Sequence, residues 1–205
     1  MNIQAVIFDF GRVISDFDIG RFVAHAAHFS TLTAAALKET EPHMMQVAGR
    51  YETGLITSRE FYLEVCRIAS LSVPEEEFVR GWTDIFTPKP ATLELVKRLK
   101  GRYRLGLLSN TNEWHFEFGI KPVGIFHLFD AVTLSFEVHA MKPDRKMYDD
   151  MLAKLALPAA ACVYIDDIAE YVAAGRAIGL HGIRYTTHEK LLEDLAKAGV
   201  EVPLH

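Results

Sequence analysis

Short apolar runs recur along the chain, each set off by polar turns. Ile3 to Phe8 is almost wholly apolar, as are Leu105 to Leu108 and Cys162 to Ile165. Ala131 to Phe136 is interrupted only by Thr133 and Ser135. Runs this short and this continuous suit strands buried on both faces. Helical periodicity separates the later ones. Pro90 stands at a first helical turn, with Leu93, Val96 and Leu99 following at helical spacing. Asp144 is placed to cap a helix carrying Tyr148, Met151, Leu152 and Leu155 on one face. Thr186 and Glu189 form a capping box ahead of Leu191, Leu192 and Leu195, and Gly182 to Tyr185 reads as a further, shorter strand. Strands alternating with helices predict an α/β fold built on a doubly wound parallel sheet.

From about Phe17 to Thr87 the pattern changes. Apolar residues come at three- and four-residue spacing and no strand-like run intervenes. Thr57 and Glu60 make a second capping box, followed by Phe61, Val65 and Ile68 on one helical face. The expected organisation is a core made of residues 1–16 and 88–205, with residues 17–87 inserted as a small helical cap. Thr87-Pro88-Lys89-Pro90 is read as the return hinge.

Composition narrows the partners. The 205 residues are 50% hydrophobic and 24% charged, with a formal net charge of -5 and no basic stripe. Nucleic acid is therefore not expected as a partner. No segment has the ~18 apolar residues of a membrane span, and the N-terminal MNIQAVIFDF lacks the features of a secretory leader. A cytoplasmic, reducing compartment is expected, with no membrane partner. Cys66 and Cys162 have no metal-ligand spacing and read as buried free thiols. The histidines show no paired ligand spacing, which argues against zinc.

Ligands of open α/β sheets bind outside the carboxyl ends of the strands, so the residues that follow each strand carry the chemistry. Asp9 follows the first strand, Ser109-Asn110-Thr111-Asn112 the second, Lys142 the third after a short loop, and Asp166-Asp167 the last long one. The sheet would gather these groups at one edge. Two or three carboxylates suit a hard cation such as Mg²⁺. A hydroxyl, backbone amides and a lysine suit a phosphoryl group. A carboxylate can also attack phosphorus to give an aspartyl phosphate.

These residues fall in four ordered strings. Val6-Ile7-Phe8-Asp9-Phe10-Gly11-Arg12-Val13-Ile14, Leu107-Leu108-Ser109-Asn110, Lys142-Pro143-Asp144 and Ile165-Asp166-Asp167 resemble, in order and approximate spacing, the motifs of the haloacid dehalogenase-like (HAD) hydrolase superfamily. Tyr51-Glu52-Thr53-Gly54-Leu55-Ile56-Thr57 is similar to a turn in that superfamily's small helical cap. Gly81-Trp82, and Ser109 to Asn112 with His115, resemble a bacterial subgroup of sugar-phosphate phosphatases, the α-D-glucose-1-phosphate phosphatases. The resemblance implies a Mg²⁺-dependent phosphatase acting on a small phosphorylated metabolite. Asp9 would be nucleophile and metal ligand, and Gly11 would offer its carbonyl to the metal. Ser109 and Asn110 would hold phosphate oxygens, and Lys142 would neutralise charge beside Asp9. Asp167 would bind Mg²⁺, with Asp166 beside it or one step behind.

One departure bears on rate. Most phosphatases of this superfamily carry a second Asp two residues after the first, as general acid and base. Here that position is Gly11, as in the subgroup named, so slow hydrolysis or a preference for good leaving groups is expected. Arg12 is also unusual at its position. His115, Trp82 and Glu170 read as core or rim positions. Two other functions compete: a binding or regulatory protein on the same scaffold, which Gly11 keeps open, and a 2-haloacid dehalogenase, which the Asp166-Asp167 doublet opposes.

Overall fold

The apolar runs pair as strands buried on both faces should. The computed structural model describes residues 2–203. The first strand, β1 (Ala5–Phe8), leads through a tight loop to a short strand, β2 (Ser15–Phe17). Five helices follow: α1 (Ile19–Ala27), α2 (Ala34–Glu39), α3 (Glu41–Glu52), α4 (Ser58–Ile68) and α5 (Glu75–Thr83). The chain returns through β3 (Phe86–Pro88), which pairs antiparallel with β2. Half of the segment read as the return hinge, Thr87 and Pro88, is thus strand, and two backbone crossings tie the helical unit to the core. The α/β part continues with α6 (Pro90–Leu99), β4 (Arg104–Ser109), β5 (Ala131–Leu134), α7 (Ser135–Val138), α8 (Arg145–Leu155), β6 (Cys162–Asp166), α9 (Ala169–Ala177), β7 (His181–Arg184) and α10 (His188–Lys197). The apolar run read from Ala131 to Phe136 changes conformation at Ser135, where α7 begins.

The main sheet is parallel with strand order β5-β4-β1-β6-β7. The chain leaves β1 toward one side for β4 and later fills the other side with β6, so a crevice opens at the carboxyl end of β1. Side chains alternate across the sheet. Val6 and Phe8 pack with Leu95, Leu99, Leu191 and Leu195 on one face. Ala5 and Ile7 pack with Met147, Tyr148, Met151 and Leu155 on the other. The last helix is capped by Thr187, which accepts from Lys190 N, one residue later than the expected Thr186. The Thr57–Glu60 capping box forms in full. Cys162 is buried, but Cys66 is only half-buried. No helix among the described residues is long and apolar enough to cross a membrane.

The helical unit has an aromatic core. Phe61 lies 4.8 Å from Trp82 and 4.5 Å from Tyr51, ring centre to ring centre. Trp114, from the loop after β4, joins the same cluster. At the α3–α4 turn, Gly54 has φ +65°, and a Cβ there would sit 2.2 Å from the Phe136 carbonyl, so that turn requires glycine.

A buried polar network joins the two units. Asn112 Oδ1 accepts from His115 N at 3.0 Å and from Trp82 Nε1 at 3.3 Å, while Asn112 Nδ2 lies 3.0 Å from His115 Nδ1. His115 Nε2 is 3.0 Å from the Trp82 carbonyl, and the two rings stack at 4.5 Å. Only one tautomer satisfies both contacts: Nε2 donates to the carbonyl and Nδ1 accepts from Asn112. Burial accordingly holds the His115 imidazole down, at about 4, so it stays neutral. Asn112→Ala would leave an indole N–H, a backbone N–H and a ring nitrogen buried without partners. It is expected to destabilise the fold by about 3 kcal/mol, read from urea denaturation. A loss below 1 kcal/mol would mean that water replaces the amide.

Candidate active site

β1 delivers Asp9 directly. Its backbone N–H donates to the Ile165 carbonyl at 2.9 Å, extending the β1–β6 ladder by one residue. Its side chain meets Lys142, which comes from the loop before α8 and is only 3% exposed. Lys142 Nζ donates to Asp9 Oδ1 at 2.8 Å, to Asp166 Oδ2 at 2.7 Å and to the Leu108 carbonyl at 3.1 Å. The ammonium's three protons are therefore spent on the ends of three neighbouring strands.

Asp166 is wholly buried and wholly engaged. Its Oδ1 accepts from Ile168 N at 2.8 Å, and its Oδ2 accepts from the Tyr164 hydroxyl as well as from Lys142. Tyr164 was not singled out by sequence reading. The available signal was period two: residues two apart on a strand share a face. Asp167 is half-buried, and one carboxylate oxygen from each of Asp9, Asp166 and Asp167 lies within 4.8 Å of the others.

Three carboxylates meet one buried ammonium here. Burial pushes the Asp9 carboxyl up to about 7; Lys142 opposes the shift and Asp166 adds to it. Burial also raises Asp167, and the charge of Asp166 adds to that, with Lys142 and Arg12 pulling the other way. For Lys142 burial would lower the value, but Asp9 and Asp166 outweigh it and the result is upward. The cluster carries an excess of negative charge on hard oxygens, the donor set that suits Mg²⁺.

The remaining site residues surround this centre. Ser109, the last residue of β4, is buried, and its hydroxyl makes only a long 3.4 Å contact to the Asn110 carbonyl. The Asn110 carboxamide is clamped on the Lys142 backbone: Oδ1 accepts from Lys142 N at 2.8 Å, and Nδ2 donates to Lys142 O at 3.2 Å. Sequence reading gave Asn110 to phosphate; the structure also makes it the group that positions Lys142. A Cβ built on Gly11 would stand 3.8 Å from Asp9 Oδ2 and 3.2 Å from the Phe17 ring. Phe17 thus borders the space into which a side chain at position 11 would project. Arg12 is exposed, adopts φ +56° and lays its guanidinium 5.0 Å from the centre of that ring. Glu170 is exposed on the first turn of α9, apart from these contacts.

Beneath the helical unit lies a cavity of about 430 Å³, with Gly11, Ser109 and Asn110 among its lining residues. Glu52, the last residue of α3, also faces it, and burial pushes its carboxyl up to about 7. The cap-turn string Tyr51 to Thr57 contains Glu52 but gives it no role; the fold brings the end of α3 to this edge.

The chain is similar to known proteins. The chain is 26% identical over 222 aligned positions to Phosphatase MT3486 of Mycobacterium tuberculosis, spanning 97% of this chain and 96% of that one. It is 23% identical over 184 positions to the D-ribitol-5-phosphate phosphatase of Bacteroides thetaiotaomicron, spanning 86% and 89%. A HAD family enzyme of the same bacterium, solved with magnesium and inorganic phosphate, superposes with a TM-score of 0.79 at 20% identity, covering 90% of this chain and 94% of that one. The family model of haloacid dehalogenase-like hydrolases matches residues 3–179, and on that match the chain belongs to the haloacid dehalogenase-like hydrolase family.

Proposed function

We propose that this HAD-family phosphatase hydrolyses small phosphate monoesters through a phospho-Asp9 intermediate, with Mg²⁺ held by Asp9, Asp167 and the Gly11 carbonyl. The carrying observation is the Asp9–Lys142–Asp166 ion cluster, with Asp167 in reach, at the carboxyl edge of the sheet. Lys142 holds Asp9 by Oδ1 and leaves Oδ2 on the side of Gly11, which lines the cavity. Oδ2 attacks phosphorus, the bond from phosphorus to the alcohol oxygen breaks, and the alcohol leaves with a proton taken from solvent. Water then attacks the phosphorus of the acyl phosphate, releasing inorganic phosphate and restoring Asp9. Ser109 Oγ and Asn110 would face the phosphate oxygens, and Lys142 offsets the charge gathered around Asp9. Magnesium, when bound, offsets the repulsion between a carboxylate and a phosphate dianion. The M. tuberculosis and B. thetaiotaomicron phosphatases, and the magnesium and phosphate bound by the solved relative, support this reading. The phosphate end takes sugar phosphates, the class implied by the glucose-1-phosphate phosphatase resemblance, and other esters alike. Selectivity rests with the cavity walls.

Asp9→Asn keeps the shape of the nucleophile and removes its charge. Its turnover of an aryl phosphate with Mg²⁺ is expected to fall to about a thousandth or less, with the circular dichroism spectrum unchanged. Residual turnover near wild type would assign the nucleophile elsewhere.

Asp167→Asn is expected to raise the Mg²⁺ concentration for half-maximal turnover at least ~10-fold. An unmoved Mg²⁺ curve would take Asp167 out of the ligand set.

Gly11 leaves the departing alkoxide without an acid from its usual position, so rates should fall steeply as leaving-group pKa rises. Phe17 crowds position 11, so Gly11→Asp alone is expected to gain little. Gly11→Asp with Phe17→Ala should raise turnover of alkyl phosphates by up to ~10²-fold. A wild-type rate independent of leaving-group pKa, with chemistry rate-limiting, would show that another group already delivers the proton.

A further inference from the structure

The cavity beneath the helical unit is mostly apolar. Its walls include Phe17, Ile19, Phe22, Val23, Met44 and Met45, while Trp82 and Phe86 close it further in. Four of these residues are also large apolar side chains left open to solvent: Phe17 is 39% exposed, Ile19 47%, Val23 40% and Met45 72%. Half of the protein's exposed large hydrophobics, among the described residues, thus border one opening. Scattered exposed hydrophobics are ordinary, but a cluster around a cavity mouth marks a binding surface.

The polar side chains that face the cavity are few. Ser109 and Asn110 lie at the phosphate end. Both His115 ring nitrogens are already matched, one by Asn112 and one by the Trp82 carbonyl. Glu52 and Thr111 are what remain to meet hydroxyls on the alcohol. A sugar or polyol would therefore bury several hydroxyls against rings and methyl groups, and each unmatched hydroxyl costs affinity. An apolar alcohol buries its surface against the same walls at a gain.

Resting on the phosphatase reading, we infer that the substrate is a phosphate monoester of an apolar alcohol, its chain or ring system lying between α1, α3 and the carboxyl edge of the sheet. At the ~30 Å³ that a water molecule takes up in the liquid, a cavity of about 430 Å³ holds roughly ten to fifteen carbon-sized groups. Phe17 serves this class directly. It sets an aromatic ring beside position 11, where the first carbons of the leaving group pass after the ester oxygen.

The test compares octyl phosphate with glycerol 1-phosphate at saturating Mg²⁺. Octanol is the poorer leaving group, so intrinsic chemistry favours the glycerol ester, and any preference for octyl comes from binding. A buried methylene is worth roughly fourfold, so kcat/KM for octyl phosphate is expected to exceed that for glycerol 1-phosphate by at least ~100-fold. Val23→Asp and Met45→Asp, both at exposed positions that tolerate charge, should each narrow that ratio at least ~10-fold. Equal turnover of the two esters, or a preference for the glycerol ester, overturns the inference and leaves the phosphatase reading intact. If neither ester is turned over, an aryl phosphate decides the phosphatase reading, which fails if that ester too is left intact. Fluorescence titration of Trp82 and Trp114 with 1-octanol then decides the character of the cavity. Saturable binding that Val23→Asp weakens supports the apolar assignment, and an unmoved spectrum overturns it.

Discussion

A lysine ammonium buried to 3% exposure cannot stand alone. Removing its water costs several kcal/mol even after the protein relaxes, and an unpaired buried lysine lowers its pKa and sheds its proton instead. Lys142 stays charged because β1 brings Asp9, β4 brings the Leu108 carbonyl and β6 brings Asp166, each within 3.1 Å of one nitrogen. Those three strands are the centre of the sheet. A slip of β1 or β6 by a single residue would turn its carboxylate to the opposite face and leave the ammonium short of a partner. The ion cluster therefore ties function to register: the strand ends that build the centre are the ones it needs held in place.

The two neighbouring aspartates divide this work. Asp166 is satisfied by protein alone, through Lys142, Tyr164 and the Ile168 amide, and its environment leaves little for a ligand. Asp9 gives one oxygen to Lys142 and keeps the other clear, and Asp167 is half-open. A buried carboxylate fixed on all sides anchors the lysine. The less committed carboxylates beside it repel one another and invite a cation. Adjacent residues at a strand end point in opposite directions, so a doublet can supply one group of each kind without further structure.

Much of the core was legible because its signals are local. The strands Ala5–Phe8, Arg104–Ser109 and Cys162–Asp166 are built on short apolar runs, and α8 begins where Asp144 caps Lys146 N. The gathering of Asp9, Lys142, Asp166 and Asp167 followed from one topological rule about strand ends. What escaped was set by contacts distant in sequence. The β2–β3 pairing joins Ser15 to Pro88 and has no period long enough to read in three residues per strand. The second role of Asn110, whose carboxamide is turned onto a backbone 32 residues away, had no local signal. The capping shift from Thr186 to Thr187 reflects two adjacent threonines that are equivalent as caps, decided only by where β7 ends. Phe17 carries no motif and Glu52 is marked only as part of a cap turn, and the packing of helices over the sheet brings them to the cavity.

That packing produces a steep chemical gradient. The carboxyl edge of the sheet concentrates carboxylates and an ammonium, whereas the walls a few residues away are rings, methyl groups and thioethers. The titratable groups on those walls do not blur the contrast. His115 is held neutral by its two fixed partners, and burial shifts Glu52 toward its uncharged form, a shift that its place at the C-terminal end of α3 also favours. On the phosphatase reading, and once a cation offsets the excess of carboxylates, a ligand with one dianionic end and one apolar end would be oriented by this contrast, because reversing it would put the phosphate among rings and the hydrocarbon among charges. For a site without a side chain at position 11, this matters. A missing general acid cannot be replaced by an apolar wall, but on the proposed mechanism a wall that fixes which end enters would hold the phosphorus toward Asp9, and correct placement is itself a large part of the rate.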